Sequence, residues 1–401
     1  MKALVLGKGV SGEGVHRFLN HMAIEHDFLN TQEVVSFDYD LVIKSPGLSY
    51  QNEVVKKLKN CKMITDIELI GMLLNREFIG ITGTNGKTTT TLLVNNILSH
   101  KKKSVACGNI GYSICDAAIT NNEVFVVELS SFQLCGVKSF HPYVAVILNM
   151  NKAHLDYHIT EEAYYEAKTK MLINQKENEY LVYNGDDENV VRHLKGSAKR
   201  ISFGMDKRND YYYQKGYLYH LGKRIIKIDY DHLIYDKIAS IVVGMIYKVP
   251  VKVMKKELKR MKTLPNRLEK IYGNIYNDAK STNPSSTLNS IRQFKGNIIL
   301  ICGGIDRNED LSILRNDLYR LKKVYCYGET ANKIFNYMEK NDVECDISSD
   351  LNEALAKIKL TKNDILLFSP MMASWDQFRN FEERGKMFCQ FVKREKKNMY
   401  E

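Results

Sequence analysis

The stretch Gly80-Ile81-Thr82-Gly83-Thr84-Asn85-Gly86-Lys87-Thr88-Thr89 decides how this chain is read. An apolar approach (Phe78, Ile79, Ile81) enters a glycine turn, and Lys87 with its two hydroxyls opens a helix-like run through Leu92, Leu93 and Val94 to Leu98. Glycines let backbone N–H groups curl around phosphate oxygens, the helix turns its positive end toward them, and the lysine adds a full charge. The hydroxyl after the lysine is placed to ligate Mg2+. The usual G-x-x-x-x-G-K-[ST] spacing is not met: Ile81 stands where its first glycine belongs, and the turn begins at Gly83. A glycine loop that merely ends a strand is the plainer reading, but Lys87 and Thr88 sit at the offset the chemistry needs. The run predicts a bound nucleoside triphosphate and leaves open what its energy drives.

Outward from this loop, 401 residues exceed one ordinary core, and about 100–200 residues per domain suggests two or three domains. Hydrophobic content of 44% with 26% charged residues is that of a globular protein. No apolar run reaches the ~18 residues of a membrane span, so no membrane insertion is expected. The opening Ala3-Leu4-Val5-Leu6 meets Gly7-Lys8-Gly9 and reads as a buried first strand rather than a signal peptide. Eight cysteines lie scattered without C-x-x-C spacing, several in apolar surroundings such as Leu300-Ile301-Cys302. They read as reduced core residues of a cytoplasmic protein, not as zinc ligands or a disulfide framework. The net charge of +11 is spread out, and no finger, RNP or basic-helix signature accompanies it. A lysine-rich solvated surface is expected, not a nucleic-acid partner.

The fold expected is α/β in three domains. Residues 1–77 read as a small Rossmann-like domain with strands at 2–6 and 40–44. Its turn Gly7-Lys8-Gly9-Val10-Ser11-Gly12 matches G-x-G-x-x-G after a strand and before a helix, although close strand–helix packing alone would also select those glycines. Residues 78–263 hold the phosphate loop and buried strands at 124–128, 144–149 and 180–183, with strand–helix alternation that argues a largely parallel sheet. Tyrosine-rich residues 211–223 read as a small antiparallel insertion beside that sheet. Residues 264–401 form a second Rossmann-like unit with strands at 270–277, 297–302, 323–327 and 364–368. Pro265 ends the preceding helix, and a hinge is expected at 263–267.

Four further clusters end or follow strands, where α/β sheets present ligand sites. Glu128 closes the apolar strand Val126-Val127 and suits Mg2+, or else pairs with a lysine. His154, in Asn149-Met150-Asn151-Lys152-Ala153-His154, reads by itself as a loop residue, with metal ligand or base as the alternative. Tyr276-Asn277-Asp278-Ala279-Lys280-Ser281-Thr282-Asn283 gathers carboxylate, ammonium and hydroxyl at one strand end, which favours a site over a surface salt bridge. From Ser369 to Gly385, a Ser-Pro stop and an amphipathic helix carrying the only tryptophan, Trp375, are expected at a cleft.

Together and in this order, these clusters resemble the Mur ligase family, the ATP-dependent amide-forming enzymes of peptidoglycan synthesis. Gly83-Thr84-Asn85-Gly86-Lys87-Thr88 looks like that family's contracted phosphate loop, and the resemblance spans nearly the whole chain. Asn277 to Asn283, Glu128 to Leu134 and Ser369 to Gly385 look most like the D-glutamate-adding branch. The resemblance implies ATP and Mg2+, with Gly83, Thr84, Asn85, Gly86, Lys87, Thr88 and Thr89 on ATP phosphates. It implies one Mg2+ on Thr88 and Glu128, and a second on His154 and Lys168, the latter matching the family's carbamylated lysine. It implies Lys87, His154 and Lys168 as the catalytic set. Arg267, Asp278 and Lys280 match ATP contacts; Thr282, Arg307, Ser374 and Phe381 match the D-glutamate side. Asn109, Val10 and Ser11 match the UDP-N-acetylmuramoyl-L-alanine side. The implied partners are these small molecules, acted on by a monomer.

Two positions depart from the family. Ala153 precedes His154 where the family has aspartate, and Asp236 ends His232-Leu233-Ile234-Tyr235-Asp236 where it has an adenine-reading asparagine. A carboxylate cannot donate as an amide does. A sibling ligase or folylpolyglutamate-synthase-like enzyme would share the phosphate loop. A nicotinamide-dependent dehydrogenase would use Gly7–Gly12 but leave Lys87 unexplained. A non-catalytic nucleotide-binding protein is the remaining alternative.

Overall fold

The computed structural model describes residues 2–261, 265–396 and 398–400. It divides into two compact units, Met1–Met261 and Lys262–Glu401.

The first unit holds two sheets. A four-stranded, wholly parallel sheet runs in the order His26–Leu29, Ala3–Leu6, Leu41–Lys44, Lys62–Ile64. Ala3–Leu6 is buried at every position, as expected of a strand covered on both faces. The helix Val10–His21 follows directly, and a Cβ at Gly12 would run into the carbonyl of Gly7. Close packing of helix on strand therefore requires this glycine, whatever it binds.

The second sheet has nine strands. From one edge they are Lys223–Lys227, Tyr217–His220, Tyr211–Gln214, Lys199–Gly204, Tyr180–Asn184, Val144–Ile147, Glu77–Thr82, Val124–Glu128 and Ser104–Gly108. The six from Lys199–Gly204 onward pair in parallel. The tyrosine-rich strands are antiparallel among themselves, yet Tyr211 and Tyr212 pair in parallel with Phe203 and Gly204. The expected insertion is thus a continuation of the main sheet. Its tyrosines stack across strands, Tyr212 on Tyr219 with ring centroids 5.2 Å apart. The helices Lys87–Leu98 and Ile234–Ile246 cover one face through Leu93, Val94, Ile97, Ile238, Ile241 and Val242.

The two sheets of this unit are joined by buried polar contacts. Glu68 accepts from the N–H groups of Lys138, Ser139 and Phe140 at 2.9–3.0 Å and from the Ser139 hydroxyl at 2.6 Å. Tyr157 donates to the carbonyl of Pro46 at 3.3 Å.

The second unit is built on six strands in the order Glu269–Tyr272, Ile275–Asn277, Ile365–Met371, Ile298–Gly303, Leu321–Tyr327, Cys345–Ser348. Only the first pair is antiparallel. Residues 270–277, expected as one strand, are a hairpin, because Gly273 takes φ +49° and reverses the chain. The Ser369-Pro370 stop is also corrected: both residues lie inside Ile365–Met371, where the register against Ile298–Gly303 slips and no ladder N–H is needed from the proline. The helix begins only at Phe381, capped by the Asn380 side chain accepting from Glu383 N–H at 2.8 Å. Trp375 therefore stands on a loop, 62% exposed, rather than on a helix. The expected hinge at 263–267 falls partly on residues 263 and 264, outside those described.

Candidate active site

The buried strand Glu77–Thr82 delivers the chain into the phosphate loop, and Gly86, at φ +84°, caps the helix Lys87–Leu98. The loop is fixed from the segment after Val144–Ile147. Thr84 N–H donates to the Asn149 carbonyl at 2.9 Å and Asn85 N–H to the Asn149 side chain at 2.8 Å. The Thr84 hydroxyl lies 3.2 Å from that of Tyr164. Lys87 folds back over the loop, its Nζ donating to the carbonyls of Gly83 and Thr84 at 2.8 and 2.9 Å. Preorganised N–H groups at a helix start, with an ammonium beside them, form a phosphate cradle. Asp236, in the first turn of Ile234–Ile246, sets its carboxylate against Gly86, where a Cβ would force that carboxylate to shift. The departure at Asp236 therefore sits on the phosphate loop itself.

Glu128 ends the buried strand Val124–Glu128 and is 2% exposed. Its Oε1 accepts from Asn109 Nδ2 at 2.9 Å, while Oε2 is buried with no hydrogen-bond partner. An ionised oxygen stranded this way costs on the order of 1–3 kcal/mol unless something positive meets it. A hard cation shared with Thr88 and with phosphate oxygens fits that need. Among the described residues, no three His, Cys, Asp or Glu gather into a ready-made metal cage. Such a site suits Mg2+, which keeps waters and takes few protein ligands.

Lys168, on Glu161–Thr169, is 1% exposed, so it is no helix-surface lysine. Its Nζ donates to the Gly83 carbonyl at 2.9 Å and lies 4.5 Å from the Tyr164 ring centroid. Burial pushes its pKa well below 10.5, and Lys87 adds repulsion that Glu128 partly offsets. A neutral amine is the nucleophilic form that carbamylation requires. An amine and an imidazole are poor Mg2+ ligands, whereas a carbamate on Lys168 would supply hard oxygens. His154 precedes the single turn Leu155–His158 and adopts φ +57°. Its ring lies 5.0 Å from that of Phe132 and 6.0 Å from that of Tyr164. Glu128, Lys168, Lys87 and His154 thus share one region of the first unit.

The sequence reading passed over His158. It is buried, its Nε2 lies 2.9 Å from Ser131 Oγ, and its ring stacks on Phe132. The signal available was the His154–His158 spacing of one helical turn. Ile159, just after it, holds φ +69° and ψ −45° while 70% exposed, a strained setting for a β-branched residue.

On the expected UDP-substrate side, Val10 is 60% exposed at the start of Val10–His21, and the Ser11 hydroxyl engages Asp66. Asn109 spends its side-chain N–H on Glu128.

In the second unit, Arg267 lies between Asn266 and Leu268, both at positive φ, in a turn held by Asn266. The Asn266 N–H donates to Glu269 and its side-chain oxygen accepts from Asn277 at 2.8 Å. Asp278 is buried, with Oδ2 accepting from the hydroxyls of Ser290 and Ser369 at 2.6 and 2.8 Å. Burial raises its pKa against those bonds. Lys280 Nζ stands 4.0 Å over the Phe381 ring, and Arg307 donates to the Thr282 carbonyl at 3.4 Å and stacks near Trp375. Ser374 is buried beside them in sequence. The structure thus pairs Lys280 with Phe381 and brings Thr282, Arg307 and the Ser374–Trp375 loop together.

A phosphate cradle on a parallel sheet, with a buried carboxylate oxygen awaiting a cation, defines a P-loop α/β enzyme of nucleoside triphosphates. A family model described as the Mur ligase middle domain matches residues 81–246. The chain is 36% identical over 380 residues to the UDP-N-acetylmuramoylalanine–D-glutamate ligase of Bacillus mycoides, covering 90% of this chain and 84% of that one. It belongs to the Mur ligase family. Solved structures share the fold. UDP-N-acetylmuramate–alanine ligase of Thermotoga maritima aligns with a TM-score of 0.66 at 19% identity, covering 99% of this chain and 100% of that one. A MurF ligase of Thermotoga maritima in complex with ADP aligns at 0.62 and 19% identity, covering 98% and 95%. Among the described residues, no helix is long and apolar enough to cross a membrane.

Proposed function

We propose that this chain joins D-glutamate to UDP-N-acetylmuramoyl-L-alanine at the expense of ATP, in the cytoplasm and as a monomer. The observation that carries the reading is the buried, unpartnered Glu128 oxygen in the region of the phosphate loop, Lys87 and Lys168, in a chain 36% identical to a ligase of that name. The working domains are residues 1–77 for the UDP-linked substrate, 78–263 for ATP and 264–401 for the amino acid.

A carboxylate oxygen of the UDP-linked substrate attacks the γ-phosphorus, the bond to the β-phosphate oxygen breaks, and ADP leaves. The neutral D-glutamate amine then attacks the acyl carbon of the acyl phosphate, the C–O bond breaks, and inorganic phosphate departs carrying the proton that the nitrogen gives up. The loop N–H groups and Lys87 hold the transferring phosphoryl oxygens in line. Thr88 and Glu128 would hold one Mg2+, and His154 with a carbamylated Lys168 a second. Bound there, Mg2+ would neutralise charge developing on those oxygens. Arg267, Asp278 and Lys280 are assigned to ATP. Thr282, Arg307, Ser374 and Phe381 are assigned to D-glutamate, Arg307 supplying the cation a carboxylate needs. Val10, Ser11 and Asn109 are assigned to the UDP-linked substrate.

Measuring ADP release with UDP-N-acetylmuramoyl-L-alanine across a panel of amino acids tests the reading. Release that depends on D-glutamate supports it; release with another amino acid alone, or none, overturns it. Lys87→Ala and Arg267→Ala should each abolish that release, and near-normal turnover in either would count against the site.

A further inference from the structure

The largest fully buried side chain among the described residues is that of a cation. Arg384, in the first turn of Phe381–Glu395, is 0% exposed. No carboxylate among the described residues pairs with it. Its guanidinium donates to three carbonyls instead: Nη1 to Gly303 at 3.3 Å, and Nη2 to Ala279 at 3.3 Å and Met372 at 3.0 Å. Nε is buried with no partner. A positive charge in a helix's first turn also opposes the helix dipole. Such a residue is a poor choice for stability alone, since apolar replacements of buried charges are often neutral or stabilising.

The three carbonyls explain its presence. Ala279 follows Ile275–Asn277, Gly303 ends Ile298–Gly303, and Met372 follows Ile365–Met371, strands that lie side by side in the sheet with Ile365–Met371 in the middle. Each chain leaving those strand ends carries a side chain assigned to D-glutamate within a few residues: Thr282, then Arg307, then Ser374. Only a planar, multi-donor group spans three such carbonyls at once.

We infer that Arg384 is a positioning residue for the amino-acid subsite, a clamp that sets the spacing of the three loops receiving the amino acid. The inference rests on the D-glutamate assignment made above. It predicts a specific split in the kinetics. In the full-length chain, Arg384→Lys and Arg384→Met should raise KM for D-glutamate by about ten- to a hundredfold, the scale of a small misplacement of binding groups. KM for the UDP-linked substrate should stay within about twofold, as Val10, Ser11 and Asn109, the residues assigned to it, all lie in the other unit. Guanidinium chloride at non-denaturing concentration should lower the raised KM in Arg384→Gly.

Far-UV circular dichroism and thermal melts accompany the kinetics. If the wild type ignores D-glutamate, the functional assignment itself fails, which shows before any variant is made. If the wild type uses D-glutamate but folded Arg384→Lys and Arg384→Met keep its KM within about twofold, the clamp is overturned. Parallel increases in both KM values, no guanidinium response, or loss of fold in every variant would make Arg384 a general core residue and overturn it equally.

Discussion

Replacing Glu128 by glutamine separates what this residue does for the fold from what it does for a cation. The variant keeps the carbonyl-type oxygen that accepts from Asn109 at 2.9 Å and swaps the unpartnered Oε2 for an amide nitrogen. Removing a buried charge is favourable, and leaving buried amide N–H groups unpaired is unfavourable, each on the order of 1–3 kcal/mol. The two nearly cancel, so ligand-free stability should stay within about 1 kcal/mol of wild type. The ligand-bound state should differ sharply. Saturating Mg2+ and ATP at a hundred times Kd stabilise a binding-competent protein by about 2.7 kcal/mol. For a unit of this size that is roughly 5–10 °C in Tm. Glu128→Gln should lose most of that shift and about a thousandfold in turnover, some 4 kcal/mol of transition-state stabilisation. Differential scanning fluorimetry with and without Mg2+ and ATP, beside a phosphate-release assay, reads both quantities. A variant that melts far below wild type without ligand, or that keeps the Mg2+-dependent shift, would refute the reasoning.

Three further outcomes follow from the geometry. Lys168→Met should abolish turnover and flatten one component of the pH–stability curve. With the folded pKa depressed below the ordinary 10.5, the unfolded chain binds the extra proton, so wild-type stability rises with pH between the folded value and 10.5. Urea titrations from pH 7 to 10 should show this rise shrinking in the variant, and an unchanged slope would show that the amine stays charged. Glu68→Ala should cost about 3 kcal/mol by stranding its donors. Burial raises the Glu68 pKa, but the Ser139 hydroxyl and the three N–H groups outweigh it and leave it below 4.5. Its contribution is therefore full above about pH 4.5 and lost as pH falls through the folded value, and Glu68→Gln should remove that acid-side loss. Ile159→Gly should stabilise by about 1 kcal/mol, relief of strain exceeding the entropy glycine adds to the unfolded chain. A lower Tm for that variant would mean φ +69° carries no strain.

Local chemistry was legible in the sequence and long-range burial was not. The phosphate loop and Glu128 announce themselves because strand, turn and functional group are contiguous. Lys168 looks like any lysine in Tyr165-Glu166-Ala167-Lys168, and its burial depends on Gly83, 85 residues away in the chain, as well as on Tyr164 one helical turn back. Only the family resemblance singled it out. Arg384 escaped for the same reason, since an arginine in a charged first turn reads as solvated until three strand ends converge on it. The hairpin at Gly273 hid inside an apparently continuous strand. Pro370, read as a stop, is absorbed where the strand register slips.

The nine-stranded sheet ends on Lys223–Lys227, whose Lys223, Arg224 and Lys227 are exposed. An open sheet margin offers unpaired amides to any neighbouring molecule, and clustered like charges make a second copy an unwelcome guest. Neutralising those three positions should turn a well-behaved solution into one that gels or precipitates on concentration, with catalysis per folded molecule unchanged.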